Sequence, residues 1–361
     1  MRSRPVLTVA LVLIALTSVG LAYYSWHATG LPGSGRGGST AEASQRNSPA
    51  GGEMLGQFNT EDMTIQRREI QAGGPPKDGI PSLADPEVVK ADEADFMRAD
   101  DRVVAVNIGD TVRAYPLRIL NWHEAVNDEL EDTPFTVVYC PLCDSVSVLD
   151  RRIRDETGEV KVLEFGISGL LHNSNVLLYD RTDEALWSQV KFEAVSGPHA
   201  GKSLEHLPWT MTTFETYRDE YPEGTVMTFD TGYRRDYSRN PYEAYFQEDR
   251  LMFPVSREDP RLNRKDRVVG IRIGDKVRAY PVERVAEAED GRITDTLGEH
   301  RIVLEADAGA DTVRLVEVPE QAQTMHTFWF AWAAYHADTE IYGEQDEAES
   351  PAEAGGAEPG S

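Results

Sequence analysis

Apolar and polar residues alternate over short runs through most of the chain, and the clearest of these runs occurs twice. DRVVAVNIGDTVRAYPLRI starts at Asp101 and DRVVGIRIGDKVRAYPVER at Asp266, 266 − 101 = 165 positions later. Each places alternating apolar residues on both sides of a Gly-Asp pair. That pattern predicts two short strands joined by a tight turn and closed by a proline that ends pairing. A second pair of runs, TFETYRDEYPEGTVM from Thr213 and TFWFAWAAYHADTEIY from Thr327, sets Phe214 over Phe328, Tyr221 over Tyr335 and Thr225 over Thr339, at an offset of 327 − 213 = 114. Both predict a short helix, a turn and a strand, and the second is apolar enough to be a buried helix. The copies begin and end alike, but the second is shorter by 165 − 114 = 51 residues. This alignment puts the shortening over TVVYCPLC and GISGLLHNSNVLLYDR. The fold expected is α+β and β-rich, with two unequal repeats packed as one globular unit, the first over 75–262 and the second over 263–343.

Inside the first repeat, Pro116 suits a first helical position, and LRILNWHEAVNDEL predicts a helix running to a turn at Glu131 to Pro134. PFTVVYC, SVSVLDR, VKVLEFGIS and NVLLYDR predict four strands, with CPLC as the turn between the first two.

Outside the repeats the pattern changes character. MRSRPVLTVALVLIALTSVGLAYYSW sets Arg2 and Arg4 before about 20 mostly apolar residues that end in Tyr23, Tyr24 and Trp26. Residues 1–29 therefore read as a membrane anchor with a cytoplasmic N-terminus, which puts the remainder outside the cytoplasm, in the periplasm or on the outer surface. A cleaved signal peptide is the rival, since Gly20 and Ala22 are small enough for a cleavage site, and the protein would then be secreted. Residues 30–74, rich in Gly, Ser, Pro, Gln and Glu, read as a disordered tether, and the acidic 344–361 as a disordered tail.

Charge narrows the partners. The formal net charge is −26, and 29 of the 36 basic residues are arginine. So acidic a surface repels nucleic acid and anionic headgroups, and the scattered acids fit adaptation to a salty medium better than a cation site. The partners expected are the membrane, through the anchor, and an unknown small molecule or envelope protein.

The candidate chemistry lies in the only two cysteines, Cys140 and Cys143. A Cys-Pro-x-Cys turn serves a dithiol redox pair, a metal knuckle with sulfurs at about 2.3 Å from zinc, or a local disulfide. DSVSVLDR alternates like a strand, which speaks against the helix that a thioredoxin-like site needs. A metal would need His, Asp or Glu, or thiolates from a second subunit, to complete the set: His123 first, then His172 and Asp144, for one transition metal, zinc, copper or iron. If the site is catalytic, Cys140 would attack, His123 would deprotonate it, and Glu124 or Asp144 would orient the imidazole. His199 and His206 read as a solvated loop, Asp150-Arg151 and Asp180-Arg181 as strand-end turn pairs, and Trp187 as a core aromatic. No Gly-rich phosphate loop, G-x-S-x-G elbow or HExxH occurs.

DGIPSL (78–83), RAYPLRILNWHEAVND (113–128), YCPLC (139–143), GISGLLHNSNVLLYDR (166–181) and Leu186-Trp187 together resemble the bacterial and archaeal domain of unknown function 3179 family, over about Lys77 to Gly343. The resemblance implies an exported or membrane-anchored protein and brings no reaction, ligand or catalytic residue. Where that family has a small residue after the second cysteine this chain has Asp144, and where it often has Arg or Tyr before Asn-Ser this chain has His172. His123 lies in the matching NWHE motif. The function expected is a thiol or metal site in a tethered extracytoplasmic protein. The alternative is a non-enzymatic cell-envelope binding module with a local disulfide.

Overall fold

The computed structural model describes residues 49–155 and 157–344. The anchor expected over 1–29, most of the acidic tail and the first part of the tether lie outside the described residues. Among the described residues no helix is long and apolar enough to cross a membrane. The fold is β-rich with few helices.

Residues 49–74 depart from the tether expected of them. They form a helix at Pro49–Leu55 and a strand at Ile70–Ala72. Leu55, Phe58 and Ile70 are buried against Leu170, Leu177 and Tyr179. Few apolar residues suffice here because they land on an existing apolar face.

The first hairpin is β1 (Arg102–Ile108) and β2 (Thr111–Pro116), paired from Val103↔Pro116 to Ile108↔Thr111. Its turn needs Gly109, whose φ of 58° is a conformation that a Cβ disfavours. Helix α1 (Leu117–His123) follows, and is shorter than its sequence suggested. Glu124 takes a left-handed φ of 58° and ends it, and AVNDEL becomes strand β3 (Ala125–Leu130). β3 pairs with β4 (Thr133–Cys140), which turns through CPLC into β5 (Ser145–Asp150). A separate hairpin, β6 (Phe165–His172) and β7 (Asn175–Asp180), closes through Asn173 and Ser174, both at positive φ, as a two-residue turn of the primed type requires. Then come β8 (Trp209–Thr213), α2 (Phe214–Glu220) and β9 (Thr225–Met227).

After a long connection the order recurs. The second hairpin is β10 (Arg267–Ile273) and β11 (Lys276–Pro281). It is followed by β12 (Arg292–Leu297), β13 (His300–Asp307), β14 (Thr312–Glu317), β15 (Gln323–Phe328), α3 (Trp329–Tyr335) and β16 (Glu340–Ile341). β9 lies parallel to β2 through Thr225↔Arg113, and β16 lies parallel to β11 through Glu340↔Arg278. The Phe214 N–H donates to Asp101 O and the Trp329 N–H to Asp266 O, each at 2.8 Å. Phe214 thus stands opposite Trp329, at an offset of 329 − 214 = 115, one residue beyond the sequence alignment.

The shortening covers GISGLLHNSNVLLYDR, as the alignment placed it, but not TVVYCPLC. β12, β13 and β14 start 292 − 125, 300 − 133 and 312 − 145 = 167 residues after β3, β4 and β5 and have the same lengths. The cysteine hairpin therefore has a counterpart in the second half, its turn reading DAGAD where the first reads CPLCD. The halves differ in what lies between β5 and β8, residues 151–208, against 318–322 between β14 and β15.

The halves interlock. One sheet runs Leu83–Ala84, β3, β4, β5, β15, β10, β11, β16, so β15 of the second half pairs with β5 of the first through His326↔Val146. The other hairpin sheet, β8-β1-β2-β9 with Val88–Lys90, meets the three-stranded β12-β13-β14 where β8 packs on β14.

Candidate functional site

Cys140 is the last residue of β4, and the Cys143 N–H donates to its carbonyl at 3.1 Å, closing a β-turn. Pro141 stands at the second position of that turn, where a fixed φ is favoured. Asp144 then takes a φ of 46°, and Ser145, paired with Cys140, starts β5. The conformation that a glycine would supply after the second cysteine is supplied here by an aspartate, a residue that tolerates it.

Asp144 is also the anchor of the turn. It is fully buried, and its two oxygens accept from Arg102 Nη1 at 3.1 Å each, from Arg267 Nε at 2.7 Å and from the Tyr139 hydroxyl at 2.9 Å. His326 Nε2 lies 3.4 Å away. Burial raises its proton affinity, but the two guanidiniums and His326 outweigh that and hold the carboxyl well below the ordinary range. Arg102 and Arg267 are the same position of the two hairpins, since 267 − 102 = 165. The halves thus each contribute one arginine to the residue that follows Cys143.

The thiols lie 4.0 Å apart and are not bonded. Cys140 is 1% and Cys143 0% exposed. The tip of the β6-β7 hairpin docks on them: Cys143 Sγ donates to Ser174 O at 3.4 Å, and the Asn175 side chain also reaches that sulfur. The pair is asymmetric. Burial pushes the Cys140 thiol up, but the Cys143 thiol and the N–H groups of Val176, Cys143 and Leu142 bring it below the ordinary value. Cys143 has burial and the neighbouring Cys140 against it and is pushed well up. Tyr245 seals the turn by donating to Leu142 O at 2.9 Å.

The histidines expected here are engaged elsewhere. His123 Nδ1 lies 2.8 Å from Pro81 O and Nε2 2.7 Å from the Tyr237 hydroxyl, and burial lowers its pKa to about 4. It therefore has no free nitrogen with which to take a proton from Cys140 or to ligate a metal. His172, at the end of β6, spans the Tyr335 hydroxyl at 2.9 Å and Glu69 Oε2 at 3.3 Å. Asp144 spends both oxygens on arginines. Among the described residues, no three His, Cys, Asp or Glu side chains converge so as to hold a metal ion. The two sulfurs alone do not complete the four-ligand set of a structural zinc site.

Glu124 is the expected residue that lies near enough to Cys140 to feel its charge, in a role other than orienting an imidazole. Its left-handed backbone turns it away from the helix axis of His123, it is 7% exposed, and burial together with Cys140 pushes its carboxyl well above the ordinary range. Of the remaining residues, His199 is buried rather than solvated, and Trp187 is buried with its Nε1–H on Asp180 at 2.9 Å. Asp180 also accepts from the Thr182 and Asp183 N–H groups, as a strand-end turn pair would. Arg102, Arg267 and Asn175 were not foreseen. The duplicated Asp-Arg that opens each hairpin was the available signal for the first two.

The DUF3179 family model matches residues 77–324. The chain belongs to the DUF3179 family, described as protein of unknown function. Neither the curated proteins nor the solved structures contain a match. The matched span takes in the Cys140 turn, Glu124, the hairpin tip at Asn173-Ser174 and both arginines on Asp144.

Proposed function

We propose that this chain is an extracytoplasmic, membrane-tethered protein whose CPLC turn is a thiol redox centre, with Cys140 the reacting sulfur and Cys143 the resolving one. The carrying observation is the geometry of the only two thiols, 4.0 Å apart across a β-turn, with a carbonyl acceptor on Cys143 and a Cys140 thiol whose pKa lies below the ordinary value. Such an arrangement favours thiolate on one sulfur and keeps the proton on the other, the division of labour that disulfide formation uses. Oxidation removes two electrons and two protons from the pair and forms the Cys140–Cys143 bond; a dithiol reductant returns them. Localisation rests on the basic start and apolar run of residues 1–29, with the membrane and an envelope protein or small molecule as partners and nucleic acid excluded by charge.

The two halves we read as unequal copies of one α+β unit. Their common strand order and the paired Arg102 and Arg267 support this, and only the first copy keeps sulfurs in its turn, since Asp307 and Ala310 stand at the places of Cys140 and Cys143. The copy with DAGAD then serves as scaffold.

The test is a redox titration of the native chain in dithiothreitol buffers, read by alkylation and intact mass. The expected result is one two-electron transition to a Cys140–Cys143 disulfide. Thiols that stay reduced across the whole range, in a chain whose unfolded form oxidises readily, would overturn the reading. Burial of both sulfurs favours the rival, a binding module that uses the pair for packing or as a local staple. A transition far more reducing than cellular dithiols can reach would point to that module.

A further inference from the structure

Neither sulfur can meet a partner as the fold stands, since Cys140 is 1% and Cys143 0% exposed. Thiol–disulfide exchange requires one sulfur to be approached by another, so part of the cover has to move. The β6-β7 hairpin is one side of that cover, and every residue of both strands is buried. Displacing it would open the main core. Another side is 241–256, within the connection between the two halves, and it is held differently.

The chain on either side of 241–256 is fixed. Arg118 Nε donates to Tyr237 O at 2.7 Å and Trp122 Nε1 to Arg239 O at 3.3 Å, which ties 237–239 to α1. Trp329 Nε1 donates to Asp259 O and the Phe330 N–H to Arg264 O, both at 2.9 Å, which ties 259–264 to α3. Between these anchors the segment pairs with none of the described strands, forms a four-residue helix at Glu243–Phe246 and has Tyr245 as its buried residue. Leu251, Met252, Phe253 and Val255 pack on the core only partly buried, and a cavity of about 30 Å³ is left where Tyr242 and Phe253 meet Leu142 and Val176. Segments with so few buried apolar contacts open at a lower free energy than the sheets beneath them.

The ties that close the segment end at the thiols. The Tyr245 hydroxyl donates to Leu142 O at 2.9 Å, between the two cysteines. At the hairpin tip the Ser174 hydroxyl donates to Phe253 O at 2.6 Å and the Ser256 N–H to Asn173 Oδ1 at 2.7 Å. Ser174 thus holds the segment with its hydroxyl while its carbonyl accepts from Cys143 Sγ at 3.4 Å. From beside β10, Lys265 Nζ donates to the carbonyls of Tyr245, Glu248 and Arg250.

We propose that residues 241–256 are a lid over the Cys140–Cys143 pair, which opens about its two anchors while the sheets stay folded and so governs when a partner's thiol or disulfide reaches the sulfurs. The inference rests on the thiol redox reading and adds the step that admits the partner. Closed, the pair is sealed and inert. Open, Leu142 O and the Ser174 hydroxyl pass to water and the cysteine turn is uncovered, with its clamp on Asp144 intact.

The experiment labels the reduced full chain with iodoacetamide at urea concentrations below the unfolding transition, read by intact mass, with amide hydrogen exchange followed alongside. The labelling rate in water is expected to exceed the rate that global unfolding allows by about 10²-fold or more, with a urea dependence below about one third of the global m-value, because the lid exposes a small part of the surface that unfolding exposes. Amides of 242–256 should exchange with the lid, and those of β4 and β5 only with global unfolding. Tyr245→Phe, Ser174→Gly and Lys265→Met each remove a tie and should each speed labelling by a factor of about 2 to 10, the usual net worth of a hydrogen bond. Glycine suits the φ of 62° at Ser174, and Lys265 touches neither the cysteine turn nor the hairpin tip, so a faster Lys265→Met acts through the lid. Labelling with the full global urea dependence, or folded variants that all label at the wild-type rate, overturns the lid and leaves the redox reading to the dithiothreitol titration. Labelling through the lid in a chain that forms no disulfide in those buffers keeps the lid and removes the redox reading.

Discussion

Replacing Asp144 by Asn tests whether charge, rather than turn geometry, fixes the cysteine turn. The carboxylate is 0% exposed, and the Arg102 and Arg267 side chains that grip it are 18% and 22% exposed. Removing one partner of a buried ion pair costs about 3–5 kcal/mol, because the remaining charge is left uncompensated. Both guanidiniums here retain some water, so the lower end applies, about 3 kcal/mol. In a folded unit of this size that corresponds to a fall in Tm of about 6 °C. Asp144→Gly separates the causes. Glycine relieves the backbone at φ 46° and removes the charge, so it should recover less than about 1 kcal/mol of the loss. In a chain carrying Arg102→Met and Arg267→Met, the same Asp144→Asn change should cost far less, since no charge is stranded. The folded carboxyl titrates below its unfolded value, so the native state binds fewer protons. Its contribution is therefore full above the unfolded value of 3.8 and is lost as pH falls through the depressed one. Urea denaturation from pH 8 down to pH 3 gives both numbers. A deficit under about 1 kcal/mol at pH 7, or an Asp144→Gly variant as stable as the wild type, would refute the reasoning.

Glu124 should behave in the opposite sense. Its folded value lies above the unfolded 4.5, so the native state binds more protons, and the stability tied to that proton is present below 4.5 and lost as pH rises toward the raised value. Glu124→Gln should match the wild type near pH 4 and exceed its Tm at pH 8; equal Tm values at both would exclude a buried neutral acid. His123→Ala removes bonds to Pro81 and Tyr237 and should cost about 2–3 kcal/mol while leaving the alkylation rate of Cys140 in the native chain unchanged. A large change in that rate would return His123 to the site. Gly270→Ala puts a Cβ 2.4 Å from the buried Trp332 ring and should cost about 3 kcal/mol or block folding, as soluble yield and urea midpoint would report. With a net charge of −26, Tm should rise between low and molar potassium chloride; a flat response would remove the reading of the acidity as salt adaptation.

Local pattern carried the hairpins, because alternation and a turn glycine are properties of neighbouring residues. AVNDEL shows where that stops. Asn127 and Asp128 look like exposed helix positions, yet both are buried in β3. Asn127 exchanges bonds with Phe165 N and O at 2.9 Å, and Asp128 accepts from Arg113 at 2.6 Å and Tyr115 at 2.5 Å. Partners 13 to 38 residues distant cannot be read from a window, and without them a polar residue is assigned to solvent. His123 failed for a related reason. Its place beside the cysteine strand suggested convergence, but the left-handed turn at Glu124 sends consecutive side chains to different walls, the imidazole to Tyr237 and the carboxyl to where it feels the charge of Cys140.

The likeness of the two halves was legible, and their interlock was not. Similar halves could pack side by side with each turn facing its own hairpin. Instead β15 of the second half closes against β5 of the first, which brings Arg267 to Asp144 and the Thr327 hydroxyl to Cys143 O at 3.2 Å. The Phe328 N–H donates to that same carbonyl at 2.8 Å. The second half, which has no thiols of its own, therefore holds the turn that has them. It follows that substitutions at Arg267 or Thr327, 124 and 184 residues from Cys143 in sequence (267 − 143 and 327 − 143), should alter the Cys140–Cys143 redox midpoint, whereas matched changes at the partly exposed Arg314–Glu220 ion pair should not. An Arg267→Met chain that folds and keeps the wild-type midpoint would mean that the clamp holds the fold together without setting the geometry of the sulfurs.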